Sequence, residues 1–147
     1  MNGLATGFHI TLHARPPGDW PVNIGVVDGV AASTLEIPPS ALCHPLPRSF
    51  EEAFVSLERL PRFFIEPDGS FVWVGDREDQ STWQLDGMLY DRHGRLLYLE
   101  LKGDCPFGAF GDFLTSCGGE PSLFVVQLVR HAVVMEATEF ARRLAGS

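Results

Sequence analysis

Residues 83–102 read Trp83-Gln84-Leu85-Asp86-Gly87-Met88-Leu89-Tyr90-Asp91-Arg92-His93-Gly94-Arg95-Leu96-Leu97-Tyr98-Leu99-Glu100-Leu101-Lys102. Apolar and polar residues alternate on both sides of a turn-forming cluster, which is the pattern of an antiparallel hairpin. With Arg92-His93-Gly94 as the loop, Asp91 pairs with Arg95, Asp86 falls opposite Glu100, and Gln84 falls opposite Lys102. Successive side chains on a strand point to opposite faces. Gln84, Asp86, Met88, Tyr98, Glu100 and Lys102 therefore share one face, and Leu85, Leu89, Leu97, Leu99 and Leu101 form the core face.

The strands extend upstream. Phe63-Phe64-Ile65-Glu66 turns through Pro67-Asp68-Gly69 into Ser70 to Val74, so this region is a meander of about four strands. Ahead of it, Ser49 and Glu52 form a capping box, and Phe50, Ala53, Phe54, Leu57 and Leu60 recur at helical spacing until Pro61. Phe8 to Ala14 alternates as a half-buried strand that presents His9, Thr11 and His13 on its polar face. Residues 22–27 and 31–37 are weaker strand candidates around Asp28-Gly29. Residues 1–7 and the proline-rich stretch 38–47 read as flexible.

Downstream, Pro106 to Cys117 is a helix with Phe107, Phe110, Leu114 and Cys117 on one face. Residues 123–129 are nearly all apolar, as in a central strand buried on both faces. Residues 133–135 extend the sheet, and residues 138–144 form a short last helix. The expected fold is one α+β domain spanning residues 1–147. Its sheet is mixed but mainly antiparallel, a meander with two or three helices packed on it, in the order β-α-β-β-β-β-α-β.

Composition narrows the function. The 147 residues carry a net charge of −8 and are 45% hydrophobic. That hydrophobic content is too high for a disordered chain, and no apolar run reaches the roughly 18 residues of a membrane helix. Nucleic-acid binders carry a basic stripe. Here ten arginines and one lysine are scattered through an acidic chain, so neither nucleic acid nor membrane is expected as a partner. Cys43, Cys105 and Cys117 match no Cys-x-x-Cys spacing, and no signal segment opens the chain. Together these point to a reducing cytoplasm, with all three thiols structural and a zinc site at Cys43, His44 and Cys105 set aside.

One constellation bears on chemistry. Two carboxylates facing each other across a sheet repel, and a divalent cation or a neighbouring ammonium relieves that cost. Oxygen ligands suit Mg2+ or Mn2+. Asp86 and Glu100-Leu101-Lys102, followed by a helix and a strand, resemble the PD-(D/E)xK nuclease superfamily over roughly residues 49–130. The resemblance implies that Asp86 and Glu100 bind the metal and that Lys102 assists phosphodiester hydrolysis. The competing expectation is that Lys102 simply neutralises an exposed face. His9-Ile10-Thr11 also resembles half of the His-x-Thr pair of the two-histidine phosphoesterases, but no second His-x-Ser/Thr completes it. His9 and His13 therefore read as solvent-face residues.

The leading expectation is a binding domain without assignable enzymatic chemistry or cofactor. It would recognise a protein or a small ligand through exposed aromatics or the 38–47 loop. The alternative is a Mg2+- or Mn2+-dependent phosphodiester hydrolase, or an inactive relative of one.

Overall fold

The computed structural model describes residues 7–145. Residues 1–6 of the expected flexible N-terminus lie outside it. Nine strands form one sheet: β1 (Phe8–Ala14), β2 (Val22–Val27), β3 (Val30–Leu35), β4 (Phe63–Ile65), β5 (Ser70–Asp76), β6 (Thr82–Arg92), β7 (Arg95–Gly103), β8 (Phe124–Leu128) and β9 (Val133–Glu136). Their spatial order is β2-β3-β9-β8-β1-β7-β6-β5-β4. Every pairing is antiparallel, so the expected mixed sheet is corrected to a wholly antiparallel one. The expected order also lacked the hairpin of β2 and β3, which enters before the first helix, and ended before β9 and the last helix.

The first strand in sequence sits in the middle of the sheet. On one side β1 pairs with β7 (Ile10 with Leu101, Leu12 with Leu99), and on the other with β8 (Ile10 with Leu128, Leu12 with Val126). Ile10, Leu12, Leu99 and Leu101 are fully buried in consequence. The strand of nearly all apolar residues, β8, is internal as expected, with Phe124, Val125 and Val126 all at 0% exposure. Its two faces enter two different apolar clusters.

The β6–β7 hairpin departs from the expected register. His93 and Gly94 adopt φ of 54° and 81°, and Arg92 pairs with Arg95, so the loop has two residues in the mirror-image turn that suits strand twist. A bulge then follows: Asp91 pairs with Leu96 and Tyr90 with Tyr98, which leaves Leu97 as the extra residue. Leu96 is buried at 0% exposure, whereas Leu97 is only half-buried, the reverse of the expectation. Beyond the bulge the face assignment holds, but each pair is displaced by two residues. Asp86 faces Lys102, and Glu100 faces Met88.

Three helices cover one face of the sheet: α1 (Phe50–Glu58), α2 (Phe107–Ser116) and α3 (Ala137–Ala145). The α1 capping box is present, with Glu52 N donating to Ser49 Oγ at 3.1 Å and Ser49 N donating to Glu52 Oε1 at 2.9 Å. Phe110, Phe113 and Leu114 of α2 are fully buried. Phe107, expected on that face, is 53% exposed at the first residue of the helix. Phe63, Phe71 and Phe113 stack at centroid separations of 4.6–6.4 Å, and Trp73 lies against Phe113 at 6.1 Å. Gly87 makes that cluster possible, since a Cβ there would sit 2.2 Å from the Phe71 ring.

The opposite face is covered over only part of its width. Leu35, Ile37, Val125 and Val134 form a second apolar cluster, with Trp20, Ala41 and Leu42 packed on it. The segment 38–47 contributes a 3-10 turn (Pro39–Ala41); its Leu46, 5% exposed, belongs instead to the main core and donates its amide to Leu96 O at 2.8 Å.

Candidate functional site

Beyond that cover, β7, β6, β5 and β4 turn their second face outward, with Lys102, Asp86, Val72 and Phe64 exposed, whereas on β1 that face is half-buried at His9 and Thr11 and buried at His13. Antiparallel register arranges the side chains in rungs. One rung runs His9, Lys102, Asp86, Val72, Phe64 across five strands. The next carries Gln127, Thr11, Glu100 and Met88, and the third Val125, His13, Tyr98 and Tyr90. The expected site residues Asp86, Glu100 and Lys102 thus share one open face, on two adjacent rungs. Asp86 and Glu100 are diagonal rather than opposed, a spacing of about 7–8 Å.

Glu100 is the best-anchored group. His9 Nε2–H donates to Glu100 Oε2 at 2.6 Å, and Tyr90 Oη donates to Oε1 at 3.1 Å. Both carboxylate oxygens are thereby engaged. The His9 hydrogen bond holds the carboxyl below its ordinary range; that of Tyr90 and the Lys102 charge act the same way, while desolvation opposes them. The same contact, seen from the phenol, raises Tyr90. Asp86 accepts from Gln84 Nε2 at 2.9 Å. Lys102 is exposed and forms no ion pair within 4.0 Å among the described residues, although it faces Asp86 directly.

His13 corrects the expectation of a solvent-face residue: it is 7% exposed. Its ring stacks on Tyr98 at 5.4 Å, and Tyr98 stacks on Tyr90 at 4.6 Å, a column of three rings across three strands. Thr11 Oγ1 donates to Gln127 Oε1 at 3.4 Å and so accepts from His13 Nε2–H at 2.8 Å. His13 Nδ1 is left buried without a partner. A proton there would be both charged and unpaired, and burial accordingly lowers the pKa to about 4.

No group of three or more His, Cys, Asp or Glu side chains converges as a metal site among the described residues. Cys43 is exposed while Cys105 is buried, and neither forms a disulfide. Burial pushes the Cys105 thiol up to about 12 and the Cys117 thiol higher still, so both are inert core groups. Reasoning from sequence placed the Asp86, Glu100 and Lys102 face correctly but missed the contacts of His9 and Tyr90 with Glu100. The alternation of β1 put His9 on a polar face; its partner lies 91 residues away, and no local pattern announces it.

No known family model, curated protein or solved structure matches the chain.

Proposed function

We propose that this chain is a cytoplasmic binding domain whose open sheet face recognises a protein partner. The observation carrying this reading is one rung of mixed chemistry. Phe64 is 63% exposed and Val72 38% exposed, and they continue directly into Asp86, Lys102 and His9. Small-molecule sites are concave, whereas the depressions beside β3 and β9 and along α1 lie away from this face. A flat face with aromatic anchors and charged neighbours suits a protein surface. The column of Tyr90, Tyr98 and His13 and the Glu100 contacts hold that face rigid, which lowers the entropy cost of docking.

The test is affinity capture from an extract of the source cells with wild type, Phe64→Asp, Lys102→Glu and the helix-side control Val55→Asp. The reading requires a protein retained by wild type and by the control and lost with both open-face variants. Retention unchanged by the open-face variants refutes it.

A second reading follows from Asp86, Glu100 and Lys102 sharing adjacent rungs of the open face. In it the chain is a Mg2+- or Mn2+-dependent phosphodiester hydrolase, with Asp86 and Glu100 as metal ligands and Lys102 assisting. The metal would then share the Glu100 oxygens with the hydrogen bonds from His9 and Tyr90. Melting with and without millimolar Mn2+ discriminates the readings. A ligand at about 100 times its dissociation constant adds about 2.7 kcal/mol. A shift in wild type that Asp86→Asn abolishes, together with cleavage of plasmid DNA, would replace the binding reading.

A further inference from the structure

The two most exposed large apolar side chains, Ile24 and Val26, lie far from the open face just described, on the outermost strand. Val22, Ile24 and Val26 are 59%, 75% and 73% exposed. They lie on β2, which ends the sheet. Proteins ordinarily protect such an edge with charge, proline or brevity. The other edge, β4, is three residues long. By contrast β2 has six residues, Val22-Asn23-Ile24-Gly25-Val26-Val27, with no charge and no proline. Within Val22–Leu35 the one charged residue is Asp28 at the turn, which His131 Nε2 meets at 3.1 Å.

Two independent features of this edge select the same pairing. The first is hydrogen-bond phase. Glu36 N donates to Pro21 O at 2.9 Å, so Pro21 and Glu36 are a bonded pair of the β2–β3 ladder. Bonded and non-bonded pairs alternate, and the register Asn23–Thr34, Gly25–Ala32, Val27–Val30 continues the bonded set. The backbone N–H and C=O groups of Val22, Ile24 and Val26 therefore point outward, away from β3. The second is side-chain pattern. Residues 22–26 alternate apolar and small about Ile24, and the pattern is the same read in either direction.

We propose that the chain forms a homodimer through β2, antiparallel about a two-fold axis at Ile24. Ile24 then faces Ile24 of the partner subunit, and Val22 faces Val26 of the partner subunit. In this register the residues with outward-pointing backbone groups meet one another, and the three apolar side chains of each copy lie in one continuous row. An isologous contact requires such a self-complementary patch. Charge sets where two copies can meet. Two chains of net charge −8 repel over most of their surfaces, and β2 is an edge that brings no charge to the contact. A six-residue edge is smaller than the contact area of stable dimers, so association is concentration-dependent.

Sedimentation velocity of the full chain across a concentration series up to about 1 mM tests this. The expected result is a monomer–dimer equilibrium in wild type, abolished by Ile24→Lys and preserved in Val30→Lys, which puts the same charge on β3 of the same hairpin. Ile24 is exposed, and unchanged melting of Ile24→Lys verifies that it folds. In a Cys43→Ser background, Ile24→Cys should oxidise to a covalent dimer. A wild type that stays monomeric throughout, or a dimer indifferent to Ile24→Lys, overturns the proposal.

Discussion

Burial of His13 makes the fold acid-sensitive in a window of its own. Unfolded, the imidazole titrates at its ordinary value near 6.5; folded, burial holds it at about 4. Below about pH 6.5 the unfolded chain takes up a proton that the folded chain refuses, so stability falls as pH drops from there toward the folded pKa. Between pH 7 and pH 4.5 the linkage amounts to about 2 kcal/mol, from about 1.4 kcal/mol per unit of pKa difference. The carboxylates Glu100 and Glu139 are displaced in the same direction, but their contribution is lost at lower pH, as the pH falls through the ordinary carboxylate range and below it. They leave the upper part of the window to His13. The assay is urea unfolding at pH 7.0, 5.5 and 4.5 for wild type and His13→Gln, whose amide can still reach Thr11. His13→Gln should cost stability at pH 7 through the lost stack on Tyr98, yet lose about 2 kcal/mol less than wild type on acidification. Parallel pH dependences in the two proteins would refute the assignment.

Two further substitutions test the packing. Gly87→Ala forces a Cβ to 2.2 Å from the Phe71 ring and 2.7 Å from Glu100 O, and should cost about 1–3 kcal/mol as overpacking, read by urea denaturation. A cost below this range would mean that the Phe71 ring has room to move. Gly111→Ala lies inside α2 with nothing within 4 Å of the new Cβ. It should stabilise by up to about 1 kcal/mol, seen as a raised Tm; a lowered Tm would count against the helix boundaries.

Much of the sheet could be read from side-chain alternation because each face has a distinct fate. Leu85, Leu89, Leu99 and Leu101 had to be core, and they are. The ladder position was less accessible. Leu96 and Leu97 are both leucine, so hydrophobicity cannot decide which one turns inward at the bulge, and a displacement of two residues leaves every face unchanged. That ambiguity separated Asp86 from its expected partner Glu100. His13 was misplaced for a related reason. Strand alternation puts it on the side away from the helices, correctly, but burial there depends on what covers that side, and strand periodicity does not report it. The contact of His9 with Glu100 joins residues 91 apart in sequence and has no local signature at all.

The central position of β1 has a consequence for how the chain is made. Among the described strands it is the first to leave the ribosome, and its two neighbours are the last strand of the meander and a strand ending at Leu128. Phe8 must find Gly103, and Ile10 must find Leu128. Closing such long loops carries an entropic cost before any contact repays it. The β4–β7 meander can form by itself from local hairpins, but it cannot join β8 and β9 until β1 arrives between them. During synthesis Phe8, Ile10 and Leu12 therefore remain as an unpaired apolar strand for most of the chain's emergence. Exposed apolar surface and an unpaired strand make such an intermediate prone to aggregation until β7 and β8 have emerged.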